Sequence, residues 1–95
     1  MTAGPWRIVV SKEAEKTLRR LDRSTRLRLR DAIDRLAEGP HPAPGRDVRP
    51  LQGHPGLYRL RVGDWRVLFA VEEAEQALLV LAIRPRGQAY RRLEW

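Results

Sequence analysis

The segment LYRLRVGDWRVLF, residues 57–69, carries arginine at positions 59, 61 and 66, and the segment IRPRGQAYRR, residues 83–92, carries Arg84, Arg86 and Tyr90. Side chains alternate along an extended chain, so Leu57, Arg59 and Arg61 share one side while Tyr58, Leu60 and Val62 share the other. Gly63-Asp64 has the chemistry of a tight hairpin turn. Across it, Arg66 alternates with Trp65, Val67, Phe69 and Val71 and is expected beside Arg59 and Arg61. Like charges on neighbouring strands destabilise each other unless an anion lies between them. The planar guanidinium fork matches phosphate oxygens in pairs, so phosphate recognition is the chemistry these positions suit. The other reading of the same residues is that each arginine is solvated or paired with Asp64, Glu72 or Glu73. Tyr90 follows Arg86 by four residues, which adds a ring able to stack on an unpaired base beside cations able to hold the backbone. Arg49, Arg59 and Arg84 are the further candidate RNA contacts.

The whole composition leans the same way. The net charge is +7, and 17 of the 19 cationic residues are arginines, which points to a nucleic acid or an acidic protein partner. Ninety-five residues make one small domain, expected to span 1–95. With no cysteine there is neither a disulfide framework nor a thiolate metal site, and the cytosol is the expected compartment. The longest apolar run, ALLVLAI at 77–83, is too short to span a bilayer, and the N-terminus lacks a secretory signal pattern. His41 and His54 lie in a Pro/Gly-rich stretch without a second ligand at metal-binding spacing. No phosphate-cradling glycine loop, nucleophile elbow or paired-carboxylate spacing is present, so no cofactor is expected.

The elements that must position the arginines follow from periodicity. WRIVV, residues 6–10, is β-prone, and Ser11 can cap a helix whose first turn holds Glu13 and Glu15 near its positive dipole end. Ala14, Leu18 and Leu21 recur on one face of that helix. A second helix, with Ser24 as candidate cap, repeats apolar residues at Leu29, Ala32, Ile33, Leu36 and Ala37, and the pair reads as an antiparallel helical hairpin. Residues 38–56 hold five prolines and four glycines and read as a long surface loop. Three strands follow, at Leu57–Val62, Trp65–Val71 and Leu78–Arg84. The predicted fold is α+β, in the order β-α-α-β-β-β, with an antiparallel sheet packed on the helices and its other face partly open. The C-terminal GQAYRRLEW reads as a short helix or an irregular cover over the sheet edge.

This order of elements, together with LQGHPGLYRLRVGDWRVLF and IRPRGQAYRR, resembles the RelE/ParE superfamily of bacterial toxins, its RelE branch in particular, from WRIVVSKEAEKTLRRLD to the tyrosine segment. The resemblance implies a toxin of a type II toxin–antitoxin pair that enters the ribosomal A site and cuts mRNA there. The reaction it implies is attack of a ribose 2′-hydroxyl on the adjacent phosphate, leaving a 2′,3′-cyclic phosphate and a free 5′-hydroxyl. It places Arg61, Arg66, Arg86 and Tyr90 at the catalytic positions, with Arg66 and Arg86 meeting the charge of the phosphorane and Tyr90 stacking on the base. It departs from the family at Arg59 and Arg61, where the best-known RelE type has lysines implicated in proton transfer. Arginine, whose guanidinium stays protonated in proteins, is a poor general base. The pair is therefore expected to bind phosphate, the base stays unassigned, and His54 is a bare candidate for it. The resemblance also implies a RelB-like antitoxin, acidic and partly disordered. A ParE-like gyrase inhibitor of the same fold, without RNA chemistry, is the alternative.

Overall fold

The computed structural model describes residues 5–40 and 47–86. Their element order is β1 (Arg7–Val10), α1 (Lys12–Arg20), α2 (Arg23–Arg35), a short 3-10 turn (Leu36–Glu38), β2 (Val48–Pro50), β3 (Leu57–Val62), β4 (Trp65–Glu72) and β5 (Ala77–Pro85). The strands form one five-stranded sheet in the order β1-β5-β4-β3-β2.

Two features of the sheet correct the sequence-based expectation. It is mixed rather than antiparallel, because β1 pairs parallel to β5, from Arg7 opposite Ala77 to Val10 opposite Val80. The stretch expected to be loop from 38 to 56 also contains β2, which pairs antiparallel with β3, Val48 opposite Leu60 and Pro50 opposite Tyr58. Pro50 suits an edge strand, where its missing N–H removes no ladder bond. The α+β class and the three C-terminal strands stand as expected, with β4 and β5 each running one residue or so further.

The helices start where short polar side chains can replace the backbone acceptors that a first turn lacks. The Ser11 side chain accepts from the Ala14 N–H at 3.1 Å and donates to the Leu81 carbonyl at 2.7 Å. The Ser11 N–H donates to the Val80 carbonyl as well, so the start of α1 is fastened to β5. There β5 is irregular: Leu68 pairs with Ala82 but Phe69 pairs with Val80, which leaves Leu81 as a bulge. The second helix is capped by Asp22, whose carboxylate accepts from the Thr25 N–H, and Ser24 lies inside the helix instead of capping it. Hydrogen bonding to the side chain of Thr25 first, and to its backbone N–H second, holds the Asp22 carboxyl below its ordinary pKa.

One face of the sheet packs on the helices. Ala14 and Leu18 of α1 and Leu29, Ile33 and Leu36 from α2 onward meet Leu60, Val67, Phe69, Leu78, Val80 and Ile83 in the main core. Alternation supplies the strand side of this core, and Tyr58 adds to it by stacking on Phe69 with ring centroids 5.8 Å apart. Trp6 and Trp65 are half-buried at its border. The helix over β5 is α1 and the helix over β3 is α2. Among the described residues no helix is long and apolar enough to cross a membrane.

Candidate nucleic-acid interface

The register of the sheet lines up the arginines. Arg61 on β3 is directly opposite Arg66 on β4, and Arg66 is directly opposite Arg84 on β5. Paired residues point to the same side, so these side chains leave the sheet on the face away from the helices. Neighbouring strands lie roughly 4.8 Å apart, which makes the row about 10 Å long from Arg61 to Arg84. Two residues back along β3 is a second cationic pair, Arg59 opposite Arg49 of β2. At the level of that second pair the same face turns apolar towards β5: Leu68, opposite Arg59, and Ala82, opposite Leu68, are buried there with Leu51, and Leu57 packs on them. The open face is thus cationic at one end and apolar in the middle.

Arg66 sits at the centre of the row and is 9% exposed. Among the described residues no carboxylate meets it. Its Nη1 donates to the carbonyls of Gly63 at 3.2 Å and Trp65 at 3.1 Å, so the hairpin turn supplies partial charges in place of a counter-ion. The turn is built for this position. Gly63 has φ 59°, matching the two-residue turns that take glycine first, and a Cβ there would collide with Nη2 of Arg28, which reaches the turn from α2. The pairing of Arg66 with Asp64, Glu72 or Glu73 considered from sequence does not occur.

The flanking arginines do have acidic partners, and neither was expected. Arg84 reaches Oε2 of Glu13 on α1 at 3.2 Å. Nε of Arg61 lies 3.9 Å from Oδ2 of Asp47, and the Arg61 N–H donates to the Asp47 carbonyl at 3.0 Å. Glu13 reads from sequence only as a first-turn helix acid, and Asp47 gains its place through the β2–β3 pairing, which composition conceals. Arg59 is different again: its Nη1 is buried without a hydrogen-bond partner. A charged donor in that state carries the desolvation cost of burial with no compensating acceptor, which an incoming anion would supply.

Arg86 is exposed just past β5, where its N–H donates to the Asp64 carbonyl at 2.7 Å, so its backbone joins the same end of the sheet as the row. Tyr90 lies outside the described residues. His54 is half-buried in the β2–β3 connection, with its N–H on the Leu51 carbonyl. Four residues of β3 separate Leu57 from Arg61, roughly 13 Å of strand, which puts the His54 backbone at the far end of the hairpin from the row. Among the described residues no group of three or more His, Asp or Glu side chains is placed to hold a metal.

With the geometry in hand, comparison with known proteins identifies the lineage. Residues 8–90 match the family model described as the ParE toxin of the type II toxin–antitoxin system parDE. A protein of Methanocaldococcus jannaschii named RelE1 is 27% identical over 86 residues, covering 90% of this chain and 96% of its own length. The archaeal RelE–RelB complex from Pyrococcus horikoshii OT3 contains a chain with a TM-score of 0.76 and 32% identity, covering 90% of this chain and 99% of that one. The isolated Escherichia coli RelE toxin superposes with a TM-score of 0.72 at 17% identity, over 90% of this chain and 88% of that one, and shares the fold. The chain belongs to the RelE/ParE superfamily of type II toxin–antitoxin toxins.

Proposed function

We propose that this toxin is a ribosome-dependent mRNA endoribonuclease and that the Arg61–Arg66–Arg84 row holds the scissile phosphate. The observation that carries the reading is the burial of Arg66 between two like charges where, among the described residues, its side chain is met by backbone carbonyls and by no carboxylate. Such an arrangement costs stability and is repaid where an anion binds. Arg66 is preorganised by the turn, so it can meet the phosphorane charge without reorganising. Arg86, whose backbone joins the same end of the sheet, acts as a second donor, and Tyr90 acts by stacking on the base. Arg59 and Arg49 bind the neighbouring backbone.

In this reading the 2′-hydroxyl attacks the adjacent phosphate, the P–O5′ bond breaks, and the products are a 2′,3′-cyclic phosphate and a 5′-hydroxyl. The row itself offers guanidinium groups and no base near neutrality. Catalysis therefore rests on alignment and charge stabilisation, and dependence on the ribosome to orient the substrate follows. The cognate partner is a RelB-like antitoxin, in keeping with the RelE–RelB complex of the Pyrococcus relative, and its acidic segment folds across the arginine face. Single-turnover cleavage on ribosomes programmed with a defined mRNA tests the assignment; wild-type rates for both Arg66→Ala and Arg86→Ala would refute it.

The family model favours a second reading, a ParE-like inhibitor that binds DNA gyrase without RNA chemistry. Trapped gyrase–DNA breaks with intact transcripts would select it.

A further inference from the structure

The arginine row is tied down at both ends and, among the described residues, free of carboxylates at its centre. Glu13 holds Arg84 from α1, and Asp47 stands beside Arg61 from the entry to β2. Neither carboxylate is a drifting surface acid. Glu13 is in the first turn of a helix that Ser11 fastens to Val80 and Leu81, a few residues before Arg84 on β5. Asp47 is fixed through its own carbonyl to the N–H of the arginine that it faces. Both remain about half exposed, as Arg61 does, while Arg84 is 21% exposed, so each pair is open to an incoming polyanion.

We infer that Glu13 and Asp47 are built-in counter-ions of the row, which RNA phosphates must displace from Arg84 and Arg61 on binding. This rests on the RNA reading of the row. In the empty protein the two carboxylates draw the outer guanidinium groups away from Arg66 and relieve the repulsion along the row. On binding, each phosphate oxygen exchanges for a carboxylate oxygen instead of for solution anions. The carboxylates thereby set affinity low and leave the backbone contacts exchangeable, which suits a protein that must leave one RNA for the next.

Counter-ion displacement has a distinctive signature. An arginine already neutralised by its own carboxylate contributes little to ion release, and freeing it adds roughly one ionic contact. For a single strand that steepens the slope of log K against log salt by about 0.7. The test uses the intact protein and a short fluorescently labelled single-stranded oligoribonucleotide, with the slope measured for wild type, Glu13→Gln, Asp47→Asn and Glu15→Gln. Glu15 pairs with Arg30 at 3.5 Å between the helices, so its replacement changes net charge equally without touching the row. The expected result is tighter binding and a slope steeper by about 0.7 for Glu13→Gln and again for Asp47→Asn, with Glu15→Gln close to wild type. A normal wild-type slope that the first two variants steepen no more than Glu15→Gln overturns this inference alone, as does weaker binding by either. A wild type whose RNA binding ignores salt overturns both this inference and the RNA reading on which it rests.

Discussion

Arg61 and Arg66 face each other directly across the β3–β4 pair, and among the described residues no carboxylate bridges the two guanidinium groups. Stability alone argues against that pairing. Opposed like charges cost on the order of 0.2 to 1 kcal/mol, and Arg66 is buried besides. Replacing Arg66 by methionine, which keeps the stem and removes the charge, is expected to raise unfolding stability by up to about 1 kcal/mol. The same change is expected to lower the cleavage rate by about 2.7 to 4 kcal/mol in the barrier, the loss seen when a preorganised donor is removed. Urea unfolding beside single-turnover cleavage measures both, and a destabilised but active Arg66→Met would contradict the functional reading of the row.

The Gly63 turn should be intolerant of any side chain. Its φ of 59° and the approach of Arg28 both stand against a Cβ, so Gly63→Ala is expected to cost about 1 to 2 kcal/mol. Part of that cost is the contact with Arg28. The double variant Gly63→Ala/Arg28→Ala should accordingly be less damaged than the sum of its parts, and a strictly additive cycle in chemical denaturation would count against the contact.

The Asp22 cap gives a definite pH dependence. Its carboxyl is held below the ordinary value by the Thr25 bond, so the contribution is present in full above the unfolded-state pKa and is lost as pH falls through the folded one. Asp22→Ala should lower the thermal midpoint at neutral pH, and the gap from wild type should close in acid. A gap unchanged down to that range would show that the charge of Asp22 plays no part.

Inhibition by the antitoxin should depend on charge in its rate more than in its duration. An acidic segment steered to the arginine face associates quickly at low salt, whereas apolar anchors govern its release. Stopped-flow mixing is expected to show association slowing markedly as salt rises, with dissociation little changed. Association indifferent to salt would rule out charge masking.

Much of this was legible in the sequence, for reasons that differ from residue to residue. The alternation in LYRLRV and WRVLFAV assigns each side chain to its face because one face must be apolar, and the Gly63-Asp64 turn then fixes the register that sets Arg61 against Arg66. Ser11 was readable as a cap because a cap is a local bond. Non-local pairing was not readable. Three residues of β2 inside a Pro/Gly-rich stretch carry no periodic signal, so neither the strand nor the place of Asp47 could be seen. The parallel pairing of β1 with β5 depends on where the chain goes after some sixty residues, and with it the approach of Glu13 to Arg84. Local propensity also misplaced the second cap: Ser24 and Asp22 are both good cap residues, and the chain begins the helix at the earlier one. The burial of Leu68 and Ala82 on the face expected to be cationic needed the β2–β3 connection that brings Leu51 over them.

Mapping the 5′ ends of transcripts after brief expression of the chain tests most directly whether the row cuts RNA on the ribosome. The expected result is new 5′-hydroxyl ends within translated codons, absent from untranslated regions and absent when Arg66→Ala is expressed instead. Intact transcripts accompanied by trapped gyrase–DNA breaks would contradict it.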